Sequence, residues 1–277
     1  MAKGTGLIGN FKGKVGNTVG YKLSASNNGQ TQGIRVYQPI VKNPKTAAQA
    51  EQRAKLLAVN ATYRALKMVI DRGNEGLPYG NKSRLAWLKG ALKSQNMPWY
   101  EKGGIPDYPV VCQLTKGSLV GVNYSIVGST VTIEAVGLTP ATDVTTIGKL
   151  STALLGAIPS LRAGDQITFV TVKPVNGQLS SNIFSFVLNA EDATAQNLIE
   201  ADNDKVFIDN LGEVGFGAVI VSREGANGEH LRSNTSLLAT EGATVAAPYD
   251  ATSKAAAIAS YQSSAATNSD WAEESIK

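Results

Sequence analysis

The sequence predicts an α+β fold in which an N-terminal β-hairpin and a helical pair precede an antiparallel, Ig-like β-sandwich. The periodicity of apolar residues supports this, because it alternates over 18–40, becomes helical over 46–94 and alternates again in short segments after residue 104. The 277 residues, 43% of them hydrophobic, suffice for one or two globular domains. The predicted regions are a basic Gly-rich arm with the hairpin (1–45), the helical pair (46–103), the β-sandwich (104–244) and an Ala/Ser-rich tail (245–277).

The hairpin is the first predicted element. Val19 and Tyr21 alternate on one strand, and Ile34 and Val36 alternate on the other. Asn27-Asn28-Gly29 lies between them, and these residue types tolerate the positive φ that a tight turn requires. The glycine-rich stretch before Val19 predicts an extended arm that lies close to another backbone, where the absence of a Cβ is useful.

Two helices are predicted next. Thr46 is a candidate N-cap, and Gln49 three residues later completes a capping box. This helix is expected to stop near Arg72-Gly73, since glycine favours a helix end. A second helix is predicted over 82–94, with Asn81 as its cap. Its expected apolar seam consists of the leucines Leu85, Leu88 and Leu92.

The remainder of the chain predicts strands and turns. The strand candidates are 110–115, 117–126, 130–136, 166–172, 182–188, 205–208, 217–222 and 231–238. Pro174-Val175-Asn176-Gly177 predicts a turn, and the apolar residues 147–161 predict a loop with a helical turn. Ser253–Tyr261 predicts a helix in a tail that is otherwise mobile unless it docks on a partner.

The residues that usually carry catalysis are scarce. Cys112 is the only cysteine and His230 the only histidine, which excludes intramolecular disulfides and sites built from several thiolates or imidazoles. Cys112 lies in an apolar strand and predicts a buried structural thiol. The acidic group Glu200, Asp202, Asp204 and Asp209 lacks the glycine that an EF-hand loop requires. The sequence therefore predicts a protein that is not an enzyme and that needs no cofactor or metal.

Charge is divided unevenly along the chain. Residues 1–103 carry a net charge of +13 and residues 104–277 a net charge of −9. An uncompensated basic segment predicts an acidic partner, although a basic surface that is merely solvated explains the same bias. The residues predicted to contact nucleic acid or a neighbouring subunit are Lys12, Lys14, Lys22, Arg35, Lys42, Lys45, Arg53, Arg64 and Lys67.

Two segments near the N-terminus carry a family resemblance. They are Gly13-Lys14-Val15-Gly16-Asn17-Thr18-Val19-Gly20-Tyr21 and Asn43-Pro44-Lys45-Thr46-x-x-Gln49-x-x-Gln52-Arg53. Together they resemble an uncharacterised family of small proteins from Bacteroidota and their phages. The resemblance covers residues 9–72 well and the remainder loosely. It implies a phage setting and a basic start followed by helices and a β-rich part, but no activity.

The predicted function is that of a non-enzymatic structural protein, a capsid-associated component of a phage virion. It would be assembled in the bacterial cytoplasm, because residues 1–6 lack the apolar core of a signal peptide. Its partners would be copies of itself, other virion proteins and the DNA or RNA backbone, with no membrane span. The alternative is an Ig-like binding or adhesion module of a bacterial host.

Overall fold

The computed structural model describes residues 13–22, 32–37, 46–127, 130–133, 145–189, 197–202, 205–208, 215–226, 228–239 and 250–263. The chain divides into two compact units. One comprises Met1–Pro44 with Ala266–Lys277, and the other comprises Lys45–Ala265.

The first unit contains a three-stranded antiparallel sheet. Its strands are β1 (Gly13–Val15), β2 (Thr18–Lys22) and β3 (Gln32–Val36), in the order β1-β2-β3. The predicted pairing of the hairpin strands is confirmed, with Val19 opposite Arg35 and Tyr21 opposite Gly33. The predicted turn between these strands lies outside the described residues.

Strand β1 corrects the prediction of a purely extended arm. Val15 lies opposite Thr18, so only Gly16 and Asn17 form the connection to β2. Gly16 has φ +57°, and a glycine at the first central position is what a type II′ hairpin turn requires. Gly16 of the predicted arm therefore serves a local turn.

The second unit begins with helix α1 (Ala47–Ala65). The predicted N-cap is confirmed, because the Thr46 Oγ1 accepts a 3.3 Å hydrogen bond from the Gln49 backbone N–H. The capping box does not close, since the buried Gln49 Oε1 has no hydrogen-bond partner among the described residues. The helix also ends earlier than predicted, at Leu66 (φ −110°, ψ 22°), and a short helix α2 (Lys67–Ile70) follows.

Helix α3 (Asn81–Ala91) corrects two predictions. Its N-cap is Gly80 rather than Asn81, which is already helical. Its fully buried residues are Ser83, Trp87 and Ala91. Of the predicted seam, Leu88 and Leu92 pack against the same core, whereas Leu85 is 52% exposed. The Ser83 hydroxyl fixes this rotation, because it is buried and donates a 2.7 Å hydrogen bond to the Ile70 carbonyl.

The β-rich part begins after α3. Its strands are β4 (Gln113–Thr115), β5 (Tyr124–Val127), β6 (Thr130–Ile133), β7 (Thr145–Thr146), β8 (Gln166–Val175), β9 (Gln178–Val187), β10 (Asn197–Asp202), β11 (Lys205–Ile208), β12 (Phe216–Glu224), β13 (His230–Arg232), β14 (Thr235–Ser236) and β15 (Leu238–Ala239). The central sheet has the order β13-β12-β8-β9, with β15 also paired to β12. A second sheet has the order β5-β6-β11-β10-β7, and β4 pairs with β14. All the pairings between these strands are antiparallel, which confirms an α+β fold with a β-rich C-terminal part.

The central sheet is covered on both faces. Val219 and Val221 of β12 pack with Val131 of β6 in a core shared by the two sheets. Ala218 and Ile220, the alternate residues of the same strand, pack in a core with the helices. The helix-side core includes Val59, Leu66, Ile70 and Trp87.

The predicted turn between β8 and β9 is confirmed. Val175 lies opposite Gln178, and Asn176 and Gly177 form the loop with φ +49° and +71°. Positive φ at both central residues is the signature of a type I′ turn, which favours Asn-Gly.

Residues 147–161 differ from the prediction of a loop with a helical turn. They contain an eleven-residue helix, α4 (Ile147–Ala157), whose Leu154 is fully buried in the core between the sheets. Gly148 and Gly156 argue against a helix in the sequence, because glycine has a low helix propensity. In the structure, tertiary packing overrides that propensity.

The predicted C-terminal helix is confirmed as α5 (Ala251–Ser263), and it packs along α1. Ala257 is its fully buried residue. Glu51 of α1 accepts ion pairs from Lys55 at 2.9 Å and from Lys254 of α5 at 3.2 Å. The Ser260 hydroxyl accepts a 2.9 Å hydrogen bond from the Lys102 backbone N–H. This part of the tail therefore docks on the chain's own first helix.

We expect Ala257→Gln to detach α5 from α1, because a longer polar side chain does not fit a fully buried alanine site. The substitution should lower the free energy of unfolding by about 1–3 kcal/mol and speed amide exchange over 251–263. Ala256→Gln is the matched control, since Ala256 is exposed. Equal amide protection in the two variants would contradict this packing.

Candidate basic interface

The first unit places two of the predicted basic residues on one face of its sheet. Lys14 lies opposite Val19, and Val19 lies opposite Arg35, so the three side chains form a row across the strands. Both cations are exposed. In an antiparallel sheet, alternate residues share a face, which places Tyr21 and Tyr37 on this face as well.

The two tyrosines give this face its aromatic character. The Lys14 Nζ lies 3.6 Å from the centroid of the Tyr37 ring, a cation–π contact. The Tyr21 ring lies over Gly33, where an added Cβ would come within 2.5 Å of a ring carbon. Gly33 therefore leaves room for a half-exposed aromatic ring. We call this face, with Lys14, Arg35, Tyr21 and Tyr37, the basic sheet face.

The opposite face of the same sheet is apolar and exposed. Val15 is 53% exposed, Ile34 53% and Val36 69%. Among the described residues of this unit, these three apolar side chains lie on the surface.

A second group of predicted residues lies on the helices of the second unit. Arg53 and Arg64 of α1 are three helical turns apart and share a face. Arg64 and Lys67 are exposed, and Arg53 is half-buried. No salt bridge is recorded for these three side chains within the described ranges. They form a solvated basic stripe, which is chemically suited to phosphate.

The remaining predicted residues lie outside what the structure describes. Lys12, Lys42 and Lys45 fall in segments that are not described. Lys22 ends β2 opposite Gln32, and only its backbone is described.

The structure also shows a cationic and aromatic cluster that sequence reasoning missed. The Arg72 guanidinium lies 5.6 Å from the Tyr79 ring centroid, and the Tyr79 and His230 rings lie 5.4 Å apart. The Arg232 Nε donates a 3.1 Å hydrogen bond to the Arg72 carbonyl. These residues are distant in sequence and meet only because β13 pairs with β12, so no local pattern could have indicated them.

Glu75 supplies a negative charge beside this cluster. Its carboxylate accepts hydrogen bonds from the Ser118 N–H and hydroxyl, both at 2.8 Å, and from the Arg232 N–H at 3.1 Å. Burial opposes ionisation, but these hydrogen bonds outweigh it and hold the pKa of Glu75 below its ordinary value. Glu75 thus acts as a structural acceptor that partly neutralises the cluster.

Cys112 and a cavity beside α3 are the features of the described residues that bear on reactivity. Burial raises the pKa of Cys112 to about 12. A cavity of about 290 Å³ is lined by Trp87, Thr115 and Lys116, and Lys116 is its only titratable lining residue. Among the described residues, no three His, Cys, Asp or Glu side chains converge as metal ligands would, and no helix is long and apolar enough to cross a membrane.

Comparisons of the chain with protein-family models, curated proteins and solved structures gave no significant match.

We predict that the Cys112 thiol reacts roughly ten- to a hundredfold more slowly in the folded protein than after unfolding. Burial raises its pKa from 9.0 to about 12, and the greater nucleophilicity of a thiolate of higher pKa offsets part of the loss. The measurement is the rate of modification by a thiol reagent near pH 8, with and without denaturant. Cys112 is the only cysteine, so the signal has a single source. Equal rates in the two conditions would contradict the burial of the thiol.

Proposed function

We propose that this protein is a non-enzymatic structural component of a phage virion, associated with the capsid, whose basic N-terminal part contacts nucleic acid or neighbouring subunits. The observation that carries the proposal is the basic sheet face, where two exposed cations in register accompany two tyrosines. Such a face provides the positive charge and the aromatic surface that single-stranded or double-stranded nucleic acids bind.

Binding would follow from ion exchange at phosphate. Lys14 and Arg35 would displace condensed counterions, which makes the affinity fall as salt concentration rises and leaves it independent of base sequence. Tyr21, a residue that is 42% exposed, would add stacking against a base or ribose. The Arg64 and Lys67 stripe of the second unit supports the same chemistry on a separate surface.

A neighbouring subunit is the second acidic partner that the charges favour. Residues 104–277 carry a net charge of −9, against +13 in residues 1–103. Head-to-tail pairing of these segments between copies would drive assembly and would also weaken with salt. The two antiparallel sheets that share a core support the Ig-like sandwich as the body from which such contacts are made.

The test is the double variant Lys14→Gln/Arg35→Gln, measured by anisotropy with a labelled DNA duplex over a range of salt concentrations. The parent should bind with a negative salt slope, and losing two phosphate contacts should reduce that slope by about 1.8. Lys82→Gln/Lys89→Gln is the matched control, because it removes the same charge from exposed positions of α3.

Two outcomes contradict the nucleic-acid version: no salt-dependent binding by the parent, or an equal loss in the α3 control. If the parent instead self-associates at low salt and the sheet variant does not, the neighbouring-subunit version is supported. Incorporation of the sheet variant into particles as efficiently as the parent would contradict both.

A further inference from the structure

Strand β9 forms one edge of the central sheet. It pairs with β8 over ten consecutive residue pairs without a bulge, from Gln166 opposite Val187 to Val175 opposite Gln178. Within the described ranges, no strand pairs with its other side. A long, regular edge of this kind presents unpaired backbone groups to another strand.

This edge lacks the features that usually protect edge strands. Its sequence, QLSSNIFSFV, contains no charged residue, no proline and no glycine. The opposite edge of the sheet is different, because β13 has only three residues and two of them are His230 and Arg232. Short length and positive charge discourage pairing there, whereas nothing in the sequence of β9 does so.

The hairpin fixes which backbone groups of β9 point outward. The residues that flank a two-residue turn, Val175 and Gln178, form a hydrogen-bonded pair, so even-numbered residues of β9 direct their N–H and C=O groups to β8. Leu188, the even-numbered residue that follows β9, confirms this alternation of inward and outward residues. Its N–H donates to the Asp165 carbonyl at 2.7 Å, and its C=O accepts from the Gly164 N–H at 2.8 Å. The outward residues are therefore Leu179, Ser181, Ile183, Ser185 and Val187.

We propose that β9 binds β9 of a second copy, antiparallel and with the two-fold axis at Ile183. The outward residues read Leu-Ser-Ile-Ser-Val, a pattern whose polarity is symmetric about Ile183. A two-fold axis there places Leu179 opposite Val187 of the second copy and Ser181 opposite Ser185. On the face of the odd-numbered side chains, apolar residues then meet apolar residues and serine meets serine. On the other face Phe184 meets Asn182 and Phe186 meets Ser180, and no like charges face each other.

A second copy fits this edge better than an unrelated strand does. Two-fold pairing is isologous and closed, so it satisfies both edges at once and joins the two central sheets into one continuous sheet. Helix α1 leaves the ladder free, since it approaches β9 from one face, where the Ser181 hydroxyl donates to the Ala65 carbonyl at 2.5 Å. A single-strand ladder buries less than the ~1,200 Å² of standard stable interfaces, so the dimer is weak and concentration-dependent.

The first test is sedimentation equilibrium of the full chain carrying Ser185→Pro. Ser185 is exposed and directs its N–H outward, so proline removes an intermolecular donor and leaves the ladder to β8 intact. The parent should dimerise, and the variant should dimerise about ten- to a hundredfold more weakly, because the two-fold axis removes the bond twice. Ser185→Thr keeps the N–H and should dimerise like the parent; thermal unfolding of each variant establishes that it is folded.

Amide hydrogen exchange provides a second readout that tests the register. The amides of Asn182 and Phe184 should exchange slowly at every protein concentration, because they face β8. The amides of Ser181, Ile183 and Ser185 should become slow only as the concentration rises. Equal, concentration-independent exchange along β9 would overturn the proposal.

Salt separates this contact from the charge-based function proposed above. Pairing through β9 uses uncharged groups and should persist at high salt, whereas contacts of the basic surfaces should weaken. A parent that is monomeric at all concentrations and salt levels would overturn the β9 dimer and leave nucleic-acid binding untouched. A dimer that is lost at high salt and retained in Ser185→Pro would overturn it in favour of charge pairing.

Discussion

The second unit depends on a constraint at β12 and β8: both strands must be apolar on both faces. From Phe216 to Val221, successive side chains of β12 point alternately into the helix-side core and into the core between the sheets. Gly217 lies against Val131 of the second sheet, and a Cβ there would collide with that side chain. Each layer therefore covers a surface that the other layer cannot cover. Loss of either layer would expose the buried apolar side chains of β12 and β8 to water.

The polar groups at the edges of these layers are satisfied by contacts between distant segments. The Arg223 guanidinium makes a bidentate pair with Asp165 at 2.6 and 2.7 Å, and Asp165 is only 1% exposed. The Thr62 hydroxyl donates to the Ala58 carbonyl and accepts from the Val110 N–H at 2.8 Å, which ties α1 to the segment before β4. On the basic sheet face of the first unit, Lys14, Arg35 and Tyr21 are exposed and Tyr37 is half-buried beneath the Lys14 ammonium. Exposed cations are what the proposed function requires.

Much of this arrangement follows from local sequence patterns, and the parts that do not have identifiable physical reasons. Thr46 and the Asn176-Gly177 turn were predictable because caps and tight turns depend on a few adjacent residues. The rotation of α3 was not, because the buried Ser83 hydroxyl is satisfied by Ile70, outside the helix. The sequence predicted which cations belong to the basic sheet face. It did not predict that Lys14 and Arg35 lie in one row, because that depends on the register of β1 against β2. The cluster around Tyr79 depends on the pairing of β13 and lies beyond any local pattern.

The two-faced sheet is tested most directly by unfolding a protein whose only tryptophan is Trp87, obtained with Trp99→Phe and Trp271→Phe. Trp87 reports on the helix-side core, whereas Phe169 lies in the core between the sheets. Phe169→Ala should lower the free energy of unfolding by about 3–5 kcal/mol, and the Trp87 fluorescence and β-sheet circular dichroism transitions should shift together. A Trp87 transition that stays where it was while the circular dichroism transition moves would show that the helices are stable without the sheet, which contradicts the account.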